Sequence, residues 1–597
     1  MKETIRIGGA GGFWGDSVAA LEQLVLRSDV DYIMSDYLAE LTMAILAKQK
    51  DRNASAGFAT DFVSLSLKPV LREVVRRGIR IVVNAGGMNP QGCAEALRAL
   101  AANLEVPLKI GVVEGDDLMA RAAELRAAGT VEMFTGQPIP AQVTSMNAYL
   151  GAFPIAKALE MGADVVITGR CADSALALGP LIHEFGWAPD DYDRLAAGSM
   201  VGHILECGTQ TTGGLFTDWE QVPGREELGF PIVECNPDGV FDITKPEGTG
   251  GLITPLVVAE QLLYEVGDPA NYLLPDVTVD LRHVTLKQCG PNRVRLAGLR
   301  GRPPTDTYKV SATYLDGYRA TATLTMIGRG AAGKARLIGN AILNRTRALM
   351  TQDGLGDYSE TNIELLGTEE ATFGLNARQL QSREVVLRIA VRHRDEAALQ
   401  IFGRELAPFG TSGTPGTTGF SGRPKPTPVY RLFSFLVPKR SVEVSASVDQ
   451  ESSRIAPSPP ASWQAPAASQ TPEFANVAQS TVRMTLRSLA VARSGDKADI
   501  SHLAVIARSP DFYPLLRHVV TIDAVANYLS HLVNGRVERY DVPGIHAVNF
   551  MLHDSLAGGG TASLRSDSLG KAFAEILLDL EIDVPTALKS HPHLWQG

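Results

Sequence analysis

Through the first 280 residues, short apolar runs alternate with longer stretches whose apolar positions recur every three or four residues. The runs at 5–9, 32–35, 79–84, 108–113 and 163–168 are continuous rather than alternating, which predicts strands buried on both faces. Amphipathic stretches at 17–27, 62–77, 92–103, 118–128 and 148–161 predict helices between them. Further helices are expected from about 194, carrying GHILECG, and over 254–264. This rhythm predicts an α/β fold, with a wound, mostly parallel sheet filling residues 1–280. From about residue 278 the pattern changes. VTVDLRHVTLKQCGPNRVRLAGLRG and TYKVSATYLDGYRATATLTMIG read as paired antiparallel strands, and helices and strands follow. Residues 281–450 therefore read as an α+β subdomain. Residues 451–480 are rich in Pro, Ala and Ser with no period and predict a spacer. Residues 481–597 form a further small α+β module.

At 597 residues the chain exceeds a single core, so two or three domains are expected. The net charge of −10, with acidic residues spread along the chain, argues against non-specific nucleic-acid binding. No apolar run approaches bilayer length, so no membrane span is expected. Met1 leads straight into a strand-like run rather than a signal-peptide pattern, which predicts a cytoplasmic protein. Cys93, Cys171, Cys207, Cys235 and Cys289 are far apart with no CxxC, as expected of reduced thiols rather than a disulfide frame or zinc ribbon.

An apolar strand closing on glycine and charged residues delivers them to the carboxyl edge of a sheet, where open α/β folds bind ligands. The run 163–168 does this most clearly, ending on Gly169, Arg170 and Asp173. Arg170 can fork onto a carboxylate or phosphate, or pair internally with Asp173. No local base marks Cys171 as a nucleophile. In GHILECG, His203, Glu206 and Cys207 stand at i, i+3 and i+4, on one side of a helix. His203 and Glu206 are read as an acid–base pair. A metal set is the weaker reading because the spacing is not HExxH, and a core histidine beside a buried thiol is the third. GGAGGFWGD places Gly11, Gly12 and Asp16 after the first strand, as an amide cradle for an anion or as a tight turn with Asp16 at a helix start. Asp36 and Glu40 are either paired carboxylates or a cap and a solvent-facing acid. Asn84 and Asn89 flank Gly86-Gly87; their amides suit a carbonyl or thioester, and asparagine also suits turns. Asp116 and Asp117 are expected to cap a helix.

Lys245, in ITKPEGTGG, can meet a phosphate or polarise a carbonyl, or lie exposed in a turn. Arg423 and Lys425 close a Gly/Thr-rich loop at 409–426 and can contact the phosphates of a CoA-like ligand, unless the loop is a plain surface loop. In the last module Arg493, Asp496, Lys497, Asp499, His546 and Asn549 form either a second surface closing over the main site or a structural charge network. Neither a nicotinamide or flavin fingerprint nor a P-loop is present.

The stretches IRIGGAGGFWGDS, VVNAGGMNP, NAYLGAFPIAKALEMGADVVITGRCADSALALGPLIHEFGW, GHILECGTQTTGG and ITKPEGTGG make the chain resemble the AtuA family, named for acyclic terpene utilisation. LRSLAVARSGDKADIS and HAVNFMLHDSLAGGGTASLRSD resemble the small ferredoxin-like domain that often closes such proteins. The resemblance implies a role in branched-chain or terpenoid acyl-CoA catabolism. The leading expectation is a hydratase or lyase acting on an acyl-CoA thioester, with Asn84, Arg170, His203 and Lys245 gathered in one cleft. His203 and Glu206 would exchange protons while Asn84, Arg170 and Lys245 stabilise charge on the carbonyl oxygen. CoA enters as part of the substrate, and no separate cofactor is expected. A homo-oligomer is expected. The alternatives are a non-catalytic binding or assembly subunit and a metal-dependent hydrolase, the latter with a divalent metal.

Overall fold

A computed structural model describes residues 3–378, 380–419, 422–456 and 480–595. Five parallel strands form the centre of the first sheet: β1 (Ile5–Gly9), β2 (Tyr32–Ser35), β3 (Arg80–Val83), β4 (Ile110–Glu114) and β5 (Val165–Thr168). They lie in the order β1-β2-β3-β5-β4. Tyr32 and Met34 enter one apolar core and Ile33 the other. Both faces of these strands are therefore buried, which is why they read as unbroken apolar runs.

The sheet as a whole is mixed, not mostly parallel. Antiparallel strands Ile232–Cys235, Phe241–Thr244, Arg293–Ala297 and Thr285–Gly290 extend it beyond β1, and Val444–Val448 and Glu451–Ile455 extend it beyond β4. Strands from both sides of residue 280 thus complete one sheet. Their contribution is a matter of long-range pairing, which local periodicity does not carry. The remainder of the expected spacer, 457–479, lies outside the described residues.

A second sheet is built on the 21-residue strand Thr307–Ile327. It pairs with Thr427–Pro438, Glu384–His393 and the short strand Ser145–Ala148. Helices Ala331–Gln352 and Glu396–Glu405 share an apolar core with it. The expected helix over 148–161 is therefore a strand, a turn and the helix Phe153–Glu160. Sequence separation hides this: Ser145–Ala148 is held by a partner about 165 residues away. The stretch 62–77 is broken into a π-helical turn and Leu71–Arg77 around Pro69, which cannot continue a hydrogen-bonded helix.

The C-terminal unit is a four-stranded antiparallel sheet with its own core. It docks on the rest of the chain through apolar residues such as Val491, Ile506 and Ile545, which enter the large core beside Val258 and Leu262, and through polar contacts. The two terminal guanidinium nitrogens of Arg508 meet the Asp218 carboxylate at 2.5 and 2.7 Å with both side chains buried. Thr217 Oγ1 donates to the Ala492 carbonyl, and the Asn549 amide donates to the Val266 and Gly267 carbonyls. Among the described residues no helix is long and apolar enough to cross a membrane.

Removing one partner of the Arg508–Asp218 pair leaves a buried charge without compensation, which costs about 3–5 kcal/mol. Asp218→Ala is expected to lower urea-unfolding stability by that order. Hydrogen exchange should accelerate first in strands Ala490–Lys497 and Ile500–Ala507. An unchanged midpoint would show that the pair does not hold the C-terminal unit in place.

Candidate active site

The carboxyl edge of the five parallel strands carries the site. A Cβ on Gly9 would lie 2.5 Å from the Leu205 carbonyl oxygen, and one on Gly12 2.7 Å from that of Glu206. Glycine here lets helix Tyr192–Glu206 end directly against the turn after β1. Asp16 holds that turn, accepting the Gly12 amide at 3.0 Å and the Ser17 amide at 2.7 Å. Gly11, in the left-handed region at φ 100°, completes it.

Asp36 and Asn84 stand just past β2 and β3. Asn84 Nδ2 donates to Asp36 Oδ1 at 2.5 Å, and Asn84 Oδ1 accepts the Tyr37 amide at 2.7 Å. One buried amide thereby ties two edge loops together. Burial, reinforced by Asp173, holds the Asp36 carboxyl well above the usual carboxylate range.

β5 closes on Gly169, where a Cβ would lie 2.4 Å from Asp116 Oδ1. Asp116 accepts the Arg170 amide and Asn147 Nδ2, both at 2.8 Å. It caps no helix, and neither does Asp117, which accepts the Met119 amide at 2.9 Å in a turn ahead of the short 3-10 stretch Met119–Arg121. Arg170 is buried, with Nη1 donating to the Leu38 carbonyl at 2.9 Å and to Asp173 at 2.7 Å. Its guanidinium lies 4.2 Å from the Tyr149 ring centre.

His203 is 1% exposed and Glu206 14% exposed, so the histidine stands behind the carboxylate. His203 Nε2 lies 3.1 Å from the Gln261 carbonyl oxygen, which only accepts. Nε2 must therefore carry a proton, and Nδ1 faces Glu206 Oε1 at 3.1 Å. Nδ1 makes no hydrogen bond in this arrangement, so its relation to Glu206 is one of charge and proximity. Burial raises the Glu206 carboxyl. Burial works against the His203 imidazolium, but Glu206, Glu265 and the Gln261 carbonyl together outweigh it and raise His203.

Two lysines from outside the parallel core join this edge. Lys309, on the long strand, lies 3.9 Å from Glu40 and 4.9 Å from the Tyr149 ring centre. Tyr149 donates its hydroxyl to Glu40 at 2.8 Å. Burial pushes the Glu40 carboxyl up, but Lys309, Lys497 and Arg170 outweigh it and hold it at about 2. Lys497 sits at the tip of the C-terminal hairpin, before Ala498 in a left-handed turn. It pairs with Glu265, itself left-handed at φ 59°, yet remains 47% exposed. Burial works against its charge, and Glu265, Glu40 and Asp173 together overcome this and raise it.

The edge therefore gathers Asp36, Glu40, Asn84, Arg170, Asp173, His203 and Glu206. Lys245 is not among them. It follows a strand two places beyond β1 and donates to the Thr249 carbonyl at 2.6 Å, bracing a turn. Asn89 caps helix Pro90–Leu104, accepting the Gly92 amide at 3.1 Å, and donates to the Ala54 and Ala56 carbonyls. Arg423 and Lys425 are exposed and share no hydrogen bond or ion pair with the cluster among the described residues. Tyr149, Asn147 and Lys309 escaped the sequence reading. Asn147 and Tyr149 fall in the motif NAYLGAF, but a lysine on a β-strand normally marks a solvent face. Among the described residues no three His, Cys, Asp or Glu side chains are grouped to hold a metal ion.

A family model described as acyclic terpene utilisation family protein AtuA matches residues 5–448, and one described as AtuA ferredoxin-like domain matches residues 484–583. No curated protein and no solved structure matches the chain.

Two predictions follow from this packing and burial. Gly9→Ala drives a methyl into a backbone carbonyl that cannot rotate away, and is expected to cost at least about 1–3 kcal/mol in urea unfolding. Burial raises the carboxyls of Asp116 to about 7 and Glu260 to about 8. Groups with raised folded-state values bind more protons folded than unfolded, so the stability they contribute is lost as pH rises through those values. The urea midpoint should therefore fall progressively from about pH 4, the ordinary carboxylate range, to about pH 8 and level off above it, and the combined Asp116→Asn, Glu260→Gln variant should flatten that fall. An equally steep fall in the variant would assign it to other groups.

Proposed function

Because the chain belongs to the acyclic terpene utilisation family AtuA, we propose that it is an enzyme of terpenoid acyl breakdown that moves a proton at the carbon next to an acyl-CoA carbonyl, in a hydration or lyase step. The observation that carries the reading is the His203–Glu206 pair. It presents a partly exposed carboxyl, raised by burial and tuned by a buried imidazole, beside Asp36 and Arg170. A carboxyl raised in this way is suited to both giving and taking a proton. Glu206 is the group that meets substrate, and His203 positions and charges it.

Charge arising on the thioester oxygen is met by different groups from those the sequence suggests. The Asn84 amide is consumed by Asp36 and Tyr37, and Lys245 is engaged elsewhere. Asp36, whose carboxyl burial raises, is the group suited to donate an O–H, as a neutral carboxylic acid in an apolar site does. Lys309 and Lys497 supply positive charge from two other parts of the fold. This reading also gives the C-terminal unit a task, since Lys497 belongs to it.

The test is proton exchange in heavy water with geranyl-, citronellyl- and 3-methylglutaconyl-type CoA thioesters, followed by mass spectrometry. Wild type is expected to gain mass or form product. Glu206→Gln should slow this by about 10²–10⁴-fold. His203→Gln should retain part of the rate with a displaced pH profile, and Lys497→Met should weaken turnover while the chain stays folded. Calorimetric binding across the panel with neither exchange nor turnover would replace this reading by that of an assembly subunit.

A further inference from the structure

Beside Arg170 lies a small cavity of about 10 Å³, lined by the facing strands Ser145–Ala148 and Thr307–Ile327 and by Arg170, Tyr149 and Glu40. Asn147 pairs in register with Ser311, and Ser145 with Thr313. Side chains two apart on a strand share a face, so all four turn the same way. Ser145 and Thr313 satisfy each other at 2.6 Å. Three other buried polar atoms have no partner: Arg170 Nε, Asn147 Oδ1 and Ser311 Oγ. Buried polar groups in native proteins are paired almost without exception, so three orphans around one small cavity point to an occupant.

We propose that this cavity is the seat of one resident water molecule that fixes Arg170 in place. The volume suits a single water, and the site offers the two to four polar partners a buried water needs. The chemistry selects water over an ion. Arg170 Nε only donates, so the occupant must accept there. Asn147 Oδ1 only accepts, so the occupant must donate there. The amide cannot turn over to suit an anion, because its Nδ2 is committed to Asp116 at 2.8 Å. Chloride would face that oxygen with no proton to give, and a cation would face the guanidinium. Water satisfies both, and the Ser311 hydroxyl takes either role.

The consequence falls on the orientation of Arg170. Its Nη1 is used by Leu38 and Asp173, and its guanidinium carbon lies 4.2 Å from the Tyr149 ring centre. A water at Nε adds a third anchor to the guanidinium and links it to Asn147, Asp116 and the Arg170 amide. The inference concerns the floor of the edge site and stands or falls independently of any proton transfer above it.

The experiment is a crystal structure of the full chain near atomic resolution, with Ser311→Val and Ser311→Ala alongside wild type. Wild type should show one spherical, non-anomalous peak within hydrogen-bond distance of all three atoms. Valine fills the space and expels the water, so Ser311→Val should melt below Ser311→Ala and show the Arg170 guanidinium turned from the Tyr149 ring. No peak, an anomalous peak of a heavier anion, or a Ser311→Val protein that melts above Ser311→Ala with Arg170 unmoved would overturn the proposal. Should the valine variant fail to fold, the wild-type density and the alanine variant decide it: Ser311→Ala should keep the peak with weaker occupancy.

Discussion

A guanidinium removed from water has to be compensated where it stands, and Arg170 sets that requirement for the whole edge of the sheet. Its side chain draws in the Leu38 carbonyl from the loop after β2, Asp173 from its own loop, and the ring of Tyr149 from the segment after Ser145–Ala148. Its backbone amide draws in Asp116 from the loop after β4. Four chain segments are thereby held against one another by the electrostatics of a single residue. Gly169 is part of the same constraint, since any side chain there would displace the Asp116 carboxylate. A neutral residue at 170 would leave Asp173 as an uncompensated acid beside Asp36 and Glu206. That is a larger penalty than the loss of one ion pair.

The parallel core was legible because its strands are buried on both faces and carry their own signal. The apolar runs at 5–9 and 32–35 coincide with β1 and β2, and the others differ from β3, β4 and β5 only at their ends. The residues delivered by those strands were legible for the same reason. Asp36, Asn84, Arg170 and Asp173 follow directly on apolar runs, and His203 and Glu206 share one side of a helix. What local pattern does not encode is which distant segment closes on that edge. Tyr149 and Lys309 reach it only because Ser145–Ala148 pairs with Thr307–Ile327. Lys245 looked equivalent to Arg170 in sequence, a charged residue after a strand, but its strand stands two places outside β1. Strand order, not residue type, separates the two.

The C-terminal unit shows how a module with a separate core can still belong to the site. Its hairpin Ala490–Lys497 and Ile500–Ala507 turns through Ala498, and the Gly558-Gly559 turn packs close to that tip and to Arg431 of the second sheet. Glu265, which pairs with Lys497, occupies a left-handed backbone conformation that a side chain bearing a Cβ adopts at a cost. Lys571 and Asp496 extend the network, 3.0 Å apart. Strain of this kind persists only where surrounding contacts over-determine the position. The Arg508–Asp218 pair and the Asn549 bonds supply those contacts. The docking of the unit and the placement of Lys497 are consequently one structural problem.

The arrangement of His203 and Glu206 follows from the same economy of buried charge. A carbonyl oxygen from Gln261 fixes the tautomer on one side of the ring, and the amide of Gln261 returns a bond to the His203 carbonyl at 3.2 Å. The histidine therefore cannot rotate to offer Nε2 to anything else. Its remaining nitrogen lies 3.1 Å from Glu206 Oε1, where burial disfavours the carboxylate and the carboxylate favours the imidazolium. Because only Glu206 has appreciable exposure, a proton can enter or leave through that side alone. Direction is imposed by hydrogen-bond geometry, and capacity by the shared burial of an acid and a base.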